Sequence, residues 1–316
     1  VGVALEDGRA IHARATILAT GGAAALWSRT TNPPGSLGIG MSVAHAAGAA
    51  LADLEFLQFH PTAVIGLPGR EGFLVTEAIR GEGATLHGPD GERFVEELAP
   101  RDEVARAIAA LLDATGATSV GLDMRAVDPA LFPNVVTALQ EAGLDPTTER
   151  IPVSPAAHYM MGGVVTDLYG RSTVPGLYAI GETACTGLHG ANRLASNSLS
   201  ECFVFGSRAA HAALACPPGS GPPAAADAVS WRFDAPTPTT RERVWELAGP
   251  VRDETRLSEL LDDPYPLARL LAGSALAREE SRGVHRRSDR PRPDPDLDLR
   301  HLVVAADSSL RLERWT

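Results

Sequence analysis

The sequence contains few cysteines and no long apolar run. Its three cysteines, Cys185, Cys202 and Cys216, are odd in number and form no CxxC pair. This spacing indicates neither a disulfide framework nor a zinc site, and it fits a reducing cytoplasm. No apolar stretch approaches the roughly 20 residues that a membrane-spanning helix needs, and no signal-peptide pattern opens the chain. We therefore expect a cytoplasmic protein without a membrane anchor or a bound metal.

Basic side chains are also scarce relative to acidic ones. The 316 residues carry 28 lysines and arginines against 39 aspartates and glutamates, a formal net charge of -11. No basic stripe is available to neutralise phosphates, which argues against nucleic acid as a partner. Small anions stay open as ligands, because a few local cations can bind them inside an acidic protein. The apolar content of 44% is ordinary for a globular protein, and the length favours about two domains.

A third absence concerns the first part of the chain. The opening residues, VGVALEDGRAIHARATILATGG, predict two strands joined by a turn at Asp7 and Gly8, then a third strand from Ala15 to Ala19 that ends at Gly21 and Gly22. This pattern is typical of the middle of a fold. No GxGxxG, the fingerprint that holds a dinucleotide pyrophosphate, occurs in the sequence. We therefore expect the chain to be a fragment of a longer protein.

One segment, residues 155–201, concentrates chemically active side chains. Its part PGLYAIGE predicts a turn, a short buried strand and a sharp glycine turn that leaves Glu182 at the carboxyl end of the strand. Open α/β sheets bind ligands at that end. Residues 192–201 predict a loop that leads into a helix, with Asn197 and Ser198 as N-cap residue types. Unpaired amides at such a helix start suit a phosphate or an electron-rich ring edge.

Several motifs carry a resemblance to a known family. They are LEFLQFHPTA, LAPRDEVARA, HYMMGG, GRSTVPGLYAIGE and TGLHGANRLASNSL. These motifs resemble the L-aspartate oxidase branch of the fumarate reductase and succinate dehydrogenase flavoprotein family. The similarity runs from Thr20 to about Ala210 and continues more weakly through SRGVHRRSD.

The resemblance implies an α/β fold in four segments. Residues 1–54 would form part of an FAD-binding Rossmann-like domain, and residues 55–159 an inserted α+β capping domain. Residues 160–222 would return to the FAD-binding domain, and residues 223–316 would form a helical carboxyl-terminal domain. Within this plan, periodicity predicts helices over 102–114, about 134–142, 241–248 and 266–282. Small residues predict a helix packed close to a sheet within 38–54, and CPPGSGPP predicts a linker at 216–223.

The resemblance also implies an activity. FAD would be the cofactor, and the enzyme would be an oxidoreductase that converts L-aspartate to iminoaspartate with oxygen or fumarate as electron acceptor. This step stands at the entry to NAD biosynthesis, beside quinolinate synthase as a possible partner. Two alternatives stay open: a fumarate reductase or succinate dehydrogenase flavoprotein subunit, and an inactive dicarboxylate-binding fragment.

A dicarboxylate needs cations and hydrogen-bond donors in two clusters. By similarity, His60 and Thr76 bind one carboxylate, and Glu77 orients the neighbouring groups. Structural interpretations stay open for each. His60 could be a satisfied core histidine at a strand end, and Thr76 could be a helix N-cap with Glu77 in the first turn.

The second cluster follows the same reasoning. By similarity, His158 and Arg193 bind the other carboxylate, and Arg101 exchanges the proton. The structural alternatives are a buried histidine supporting the Gly162 and Gly163 turn, an interdomain salt bridge for Arg193, and a surface ion pair for Arg101.

The resemblance assigns a further set of residues to the cofactor: Gly21, Gly22, Glu182, Asn197, Ser198 and Leu199. Glu182 resembles the acid that binds the flavin's ribityl chain. Ser198 and Leu199 resemble the backbone pair at its pyrimidine edge. A strand-end acid and a helix cap are the structural alternatives. Ile39 stands where relatives carry aspartate, so a polar cofactor contact is expected to be lost.

Overall fold

The computed structural model describes residues 2–5, 7–217 and 234–315. Three short strands open it. β1 (Gly2–Ala4) and β2 (Ala10–His12) form an antiparallel hairpin, and β3 (Thr16–Leu18) pairs in parallel with β10 (Leu177–Ala179). The predicted hairpin and third strand are confirmed. Because β3 and β10 run in parallel, the turns that follow them lie at the same edge of the sheet.

The glycine-rich stretch after β3 is helical over only part of its length. α1 (Ile39–Ala46) is followed by β4 (Leu51–Ala52), so the stretch predicted as a helix ends in a strand. The predicted close approach is confirmed, because a side chain at Gly40 would overlap the Thr20 hydroxyl. Only glycine allows α1 to lie so near the end of β3.

The middle of the chain builds a four-stranded antiparallel sheet in the order β5-β8-β7-β6. Its strands are β5 (Leu57–Val64), β6 (Thr85–His87), β7 (Val120–Asp123) and β8 (Ile151–Met160). The helices of this region are α2 (Glu77–Gly81), α3 (Arg101–Thr115) and α4 (Pro133–Glu141). α3 and α4 lie within one residue of the predicted ends. Val104, Ile108 and Leu112 of α3 face the core beneath this sheet.

A second sheet joins strands from distant parts of the chain. It has the order β11-β9-β4-β12-β13, with β9 (Gly163–Val165), β11 (Ala184–Cys185), β12 (Arg300–Val304) and β13 (Leu310–Arg314). The carboxyl-terminal segment is thus not purely helical, since it adds two strands. The prediction missed them because their partner β4 lies about 250 positions earlier, beyond any local signal.

The remaining helices are α5 (Asn197–Leu214), α6 (Pro238–Leu247), α7 (Glu254–Leu260) and α8 (Pro266–Ala277). α6 is confirmed, and the helix predicted to reach Arg282 is too long because the chain turns away at Arg278. The linker predicted at 216–223 lies largely outside the described residues. Among the helices that are described, none is long and apolar enough to cross a membrane.

Arg278 ends α8 because its guanidinium enters a buried charged cluster. Its Nε donates to Glu55 Oε1 at 2.5 Å, and both side chains are fully buried. Its other nitrogens donate to Glu280 and to the carbonyl of Arg300. Burial raises the pKa of the Glu55 carboxyl, and Arg278 opposes that shift. Through these contacts Arg278 joins the end of α8 to Glu55, two residues before β5, and to the start of β12.

We expect Arg278→Met to lower the free energy of unfolding by about 3–5 kcal/mol, because it leaves Glu55 buried without its partner. Denaturant unfolding measures this change. Arg256→Ala is the matched control: it removes an exposed arginine from a 3.5 Å pair with Asp253 and should cost less than about 1 kcal/mol. Equal losses for the two variants would contradict the assignment.

Candidate active site

A cavity of 340 Å³ opens beside the carboxyl ends of β3 and β10. Five of the residues predicted from the sequence line it: His158, Glu182, Arg193, Ser198 and Leu199. Thr31, Asn32 and Tyr159 line it as well. These side chains come from four separate segments of the chain.

His158 lies at the wall of this cavity, and His60 lies behind it. They stand on the paired strands β5 and β8, with ring centroids 5.2 Å apart. His60 is 1% exposed. Its Nδ1 accepts a hydrogen bond from the Thr62 backbone N–H at 3.2 Å, while its buried Nε2 has no partner. His60 is thus a buried histidine at a strand, satisfied at Nδ1 and without a protein partner at Nε2 among the described residues.

Both imidazoles are held neutral. Burial, together with the nearby charges of Arg193 and Arg101, lowers the pKa of His158 to about 4. Burial also lowers the pKa of His60 well below its usual value, reinforced by His158, Arg101 and Arg80. A neutral imidazole still has one N–H to donate.

Two guanidinium groups converge on one amide. Arg193 Nη1 lies 3.1 Å from Gln58 Oε1, and Arg101 Nη1 lies 3.5 Å from the same oxygen. Arg193 also donates to Ser198 Oγ at 2.9 Å and lies 4.2 Å from the centroid of the Tyr159 ring. Its partners are an amide, a hydroxyl and a ring, so the alternative of an interdomain salt bridge is wrong. Its Nε is buried without a partner.

Arg101 pairs with Glu77, whose carboxylate its Nε contacts. The neighbouring Asp102 pairs with Arg106 at 2.5 Å. The ion pair of Arg101 is therefore formed with Glu77 and not with the adjacent aspartate. Thr76 is the N-cap of α2, accepting from the Ala78 N–H at 3.5 Å, and Glu77 is in the first turn. The capping interpretation is confirmed. Thr76, Glu77 and Arg101 do not line the cavity. Glu77 is linked to its wall through Arg101, which approaches the Gln58 amide that Arg193 also contacts.

The glycine turn and Glu182 form a tight unit at the strand ends. Gly21 has φ of 78°, and a side chain at Gly22 would overlap the Glu182 carboxyl group. Glu182 Oε1 accepts from the Met160 N–H at 2.8 Å. Burial raises the pKa of Glu182 to about 7, partly offset by that hydrogen bond and by Arg193. These close approaches fit a cofactor that lies directly against the backbone.

The N-cap of helix α5 lies one residue before the first of the two caps predicted from the sequence. Ser196 is the N-cap, with φ of 63°, and its side chain makes no capping hydrogen bond. Asn197 and Ser198 already belong to the helix, so their prediction as N-caps is wrong. The Ser198 hydroxyl binds Arg193 instead. Leu199 is 63% exposed at the cavity.

Several residues of the site were missed in the sequence. Gln58 is two positions before His60, and strand alternation offers a signal for it, because residues i and i+2 share a face. Arg80 is 2% exposed, and two of its nitrogens have no partner. Tyr159 donates to Glu201 at 3.1 Å, which also binds His189 at 2.9 Å. These contacts are tertiary and leave no local pattern.

Comparison with known proteins agrees with this geometry. The family described as FAD binding domain matches residues 2–199, and the family described as fumarate reductase flavoprotein C-term matches residues 251–314. The L-aspartate oxidase of Caulobacter vibrioides is 46% identical over 93% of this chain and 62% of its own length. That of Mycobacterium tuberculosis strain H37Rv is 42% identical over 95% and 63%. The chain spans 60% to 63% of the length of these and the other curated relatives.

Solved structures show the same architecture. A quinol-fumarate reductase with menaquinol molecules superposes with a TM-score of 0.84 at 30% identity, over 98% of this chain and 67% of that one. Mycobacterium smegmatis Sdh1 in complex with UQ1 gives 0.79 at 31%, over 97% and 63%. The predicted α/β flavoprotein fold is confirmed. The chain therefore belongs to the FAD-binding flavoprotein family that includes the fumarate reductase flavoproteins, and FAD is the cofactor of that family.

Proposed function

We propose that the chain carries the substrate site of an L-aspartate oxidase, which converts L-aspartate to iminoaspartate as the first step of NAD biosynthesis. The observation that carries this proposal is a group of donors at one small cavity, which His158 and Arg193 line. Behind them, the His60 ring lies 5.2 Å from that of His158, and Arg101 approaches the same Gln58 oxygen as Arg193. Curated L-aspartate oxidases are 40% to 46% identical to the chain, whereas the solved fumarate reductases are 30% identical. This difference favours the oxidase over the reductase.

Unpaired donors support a doubly anionic ligand. His60 Nε2 and Arg193 Nε are buried with no partner among the described residues. A buried donor without an acceptor costs about 1–3 kcal/mol, and a carboxylate accepting from it removes that cost. A guanidinium whose partners are neutral retains its full charge for such a ligand.

The two ends of the substrate would be held differently. His158 and Arg193 at the cavity wall would bind one carboxylate, and His60 with Thr76 the other. Arg101 is fixed by Glu77, which keeps its guanidinium aimed at Gln58 and Arg193. Arginine stays charged across the working range, so we assign Arg101 a charge-stabilising role.

The cofactor residues would hold the flavin from the opposite side. Glu182 would bind the ribityl chain, and the start of α5 at Asn197, Ser198 and Leu199 would face the ring edge, with Gly21 and Gly22 allowing close approach. When bound, FAD supplies the acceptor for the hydride that leaves the substrate carbon. The rigid placement of the substrate donors is what this chain contributes. We propose a cytoplasmic location and a quinolinate synthase as consumer of the product.

The first test is turnover by the FAD-reconstituted chain. We expect hydrogen peroxide release with L-aspartate and none with succinate; the reverse pattern would favour the reductase or dehydrogenase alternative. A purified chain that takes up no flavin and stays colourless would favour the inactive fragment.

A second test removes the guanidinium at the cavity. We expect Arg193→Met to lower kcat/KM for L-aspartate on the order of 10²-fold or more, because a desolvated charge contact is worth about 2–5 kcal/mol. Arg171→Met is the control, since it removes an exposed arginine paired with Asp167 at 3.3 Å. A loss of the same size in both variants would contradict the role of Arg193.

A third test uses the raised pKa of Glu182, about 7 against 4.5. The folded state binds this proton more tightly than the unfolded state, so its stabilising effect is complete below pH 4.5 and disappears as pH rises through 7. Glu182→Gln should therefore unfold like the parent at pH 4.5 and be more stable by about 2 kcal/mol at pH 8.

Thermal unfolding of the flavin-free chain at several pH values measures this difference. Glu96→Gln, at an exposed position, should show no such trend. A constant offset for Glu182→Gln across pH would exclude a buried titrating carboxyl group.

A further inference from the structure

His60 shows how the fold can set the tautomer of a neutral histidine. A backbone N–H can only donate, so the Thr62 N–H at 3.2 Å requires a lone pair on His60 Nδ1. The ring proton is then on Nε2. His60 is thus held as a donor through Nε2 without carrying a charge.

The partner of His158 Nδ1 is a side-chain hydroxyl, whereas that of His60 Nδ1 is a backbone N–H. Thr31 Oγ1 lies 2.8 Å from His158 Nδ1. The same hydroxyl lies 3.5 Å from the Ala157 carbonyl oxygen and 3.5 Å from Asn32 Nδ2. At 3.5 Å the carbonyl and the amide are both at the limit of a hydrogen bond. The 2.8 Å contact with His158 Nδ1 is therefore the main one of the hydroxyl, and a hydroxyl that gives its proton to this nitrogen leaves a lone pair toward the Asn32 amide.

Backbone pairing holds Thr31 in this place. The segment before it runs beside β8 in parallel: the Ala157 N–H donates to the Arg29 carbonyl at 2.9 Å, and the Thr31 N–H donates to the Ala157 carbonyl at 3.0 Å. Asn32 Nδ2 donates to the His158 carbonyl at 2.7 Å. These three hydrogen bonds, together with the one between Thr31 and the His158 ring, fix this segment against residues 157 and 158.

We propose that Thr31 is a positioning residue, which fixes the tautomer of His158 so that the neutral ring presents its Nε2–H to the cavity. The opposite tautomer would turn a lone pair toward a carboxylate and repel it. The inference deepens the proposed function and rests on it only for the nature of the ligand. Together with His60, it gives the site two neutral donors of the same kind.

The charged and titratable groups around His158 come from every element that packs on it. They are His60 on β5, Arg101 and Glu77 at the starts of α3 and α2, Arg193 before α5, Glu182 after β10 and Tyr159 on β8 itself. The cations among them oppose protonation of the ring. The tautomer therefore decides what the ring offers at neutral pH.

The first experiment reads the tautomer directly and needs no turnover. Nitrogen NMR of the chain labelled with ¹⁵N-histidine should show His158 protonated at Nε2 at pH 7.5. Thr31→Val should convert it to a mixture of tautomers, and Thr31→Ser should retain the Nε2–H form. Thr30→Val is the control, because the Thr30 hydroxyl contacts the Ala157 carbonyl and the Asn32 N–H; it should leave the His158 signals unchanged.

The second experiment measures fumarate binding by calorimetry against pH. At pH 8, Thr31→Val should raise Kd about fivefold, the value of one hydrogen bond, and Thr31→Ser should change it less than about twofold. The deficit of Thr31→Val should persist down to about pH 5 and shrink only as the pH approaches the His158 pKa of about 4, because a doubly protonated ring has no tautomer to choose. A merely structural role would give a deficit that is independent of pH.

The outcomes separate the two proposals. A parent His158 protonated at Nδ1, or a Thr31→Val signal identical to that of the parent, overturns the inference. A pH-independent binding deficit overturns it as well. A correct tautomer shift in a chain that does not bind fumarate supports the role of Thr31 and overturns the proposed dicarboxylate site.

Discussion

The pairing of β5 with β8 is the constraint on which the site depends. All eight residues of β5 are buried, and both strands contribute to two hydrophobic cores. Leu57 and Met160 pack in the core that contains Trp27 and Met41, whereas Val64 and Val153 pack in the core beneath the four-stranded sheet. The histidines lie where the two strands pass from one core to the other. Any shift in register would move both rings and the amide of Gln58 together.

Bulges adapt this pairing to the chemistry. The register changes between Gln58 and Phe59 and again between His60 and Ala63. Pro61 falls within the second irregularity, where its missing N–H interrupts no ladder bond. The result aims the His60 ring inward and lets the Thr62 N–H turn back to its Nδ1. Backbone geometry and ring chemistry are therefore set by the same few residues.

The positive charges around the cavity are only partly neutralised by protein carboxylates. Arg101 forms an ion pair with Glu77, and Arg80 lies 3.9 Å from the same carboxylate. Arg193, in contrast, contacts only neutral groups. The histidines add donors without adding charge, which limits the repulsion that the arginines would otherwise feel at close range. A site built this way favours a ligand that brings its own negative charges. Burial raises the pKa of Glu182, on the cofactor side, to about 7, so this carboxyl group carries less negative charge near neutral pH than an exposed glutamate would.

Sequence reasoning found the residues whose signals are local. α3 and α4 were predicted closely because Pro100 and Pro133 mark their starts and Gly116 and Gly143 follow their ends. α7 was missed since seven residues give too little periodicity. The resemblance supplied His60, His158 and Arg193, whereas Gln58 and Thr31 matter through contacts with residues more than 100 positions away. Such contacts depend on strand register, which the sequence specifies only through the whole fold.

The hairpin of β12 and β13 has a consequence for biosynthesis. β4 is only two residues long and is sandwiched between β9 and β12. On the ribosome, β9 is complete more than 130 residues before β12 emerges, so one edge of β4 has no β12 to pair with over that interval. Open edges recruit other strands. Pairing with β12 removes this open edge, so the strands from residues 300–314 protect a sheet whose other members lie far earlier in the chain.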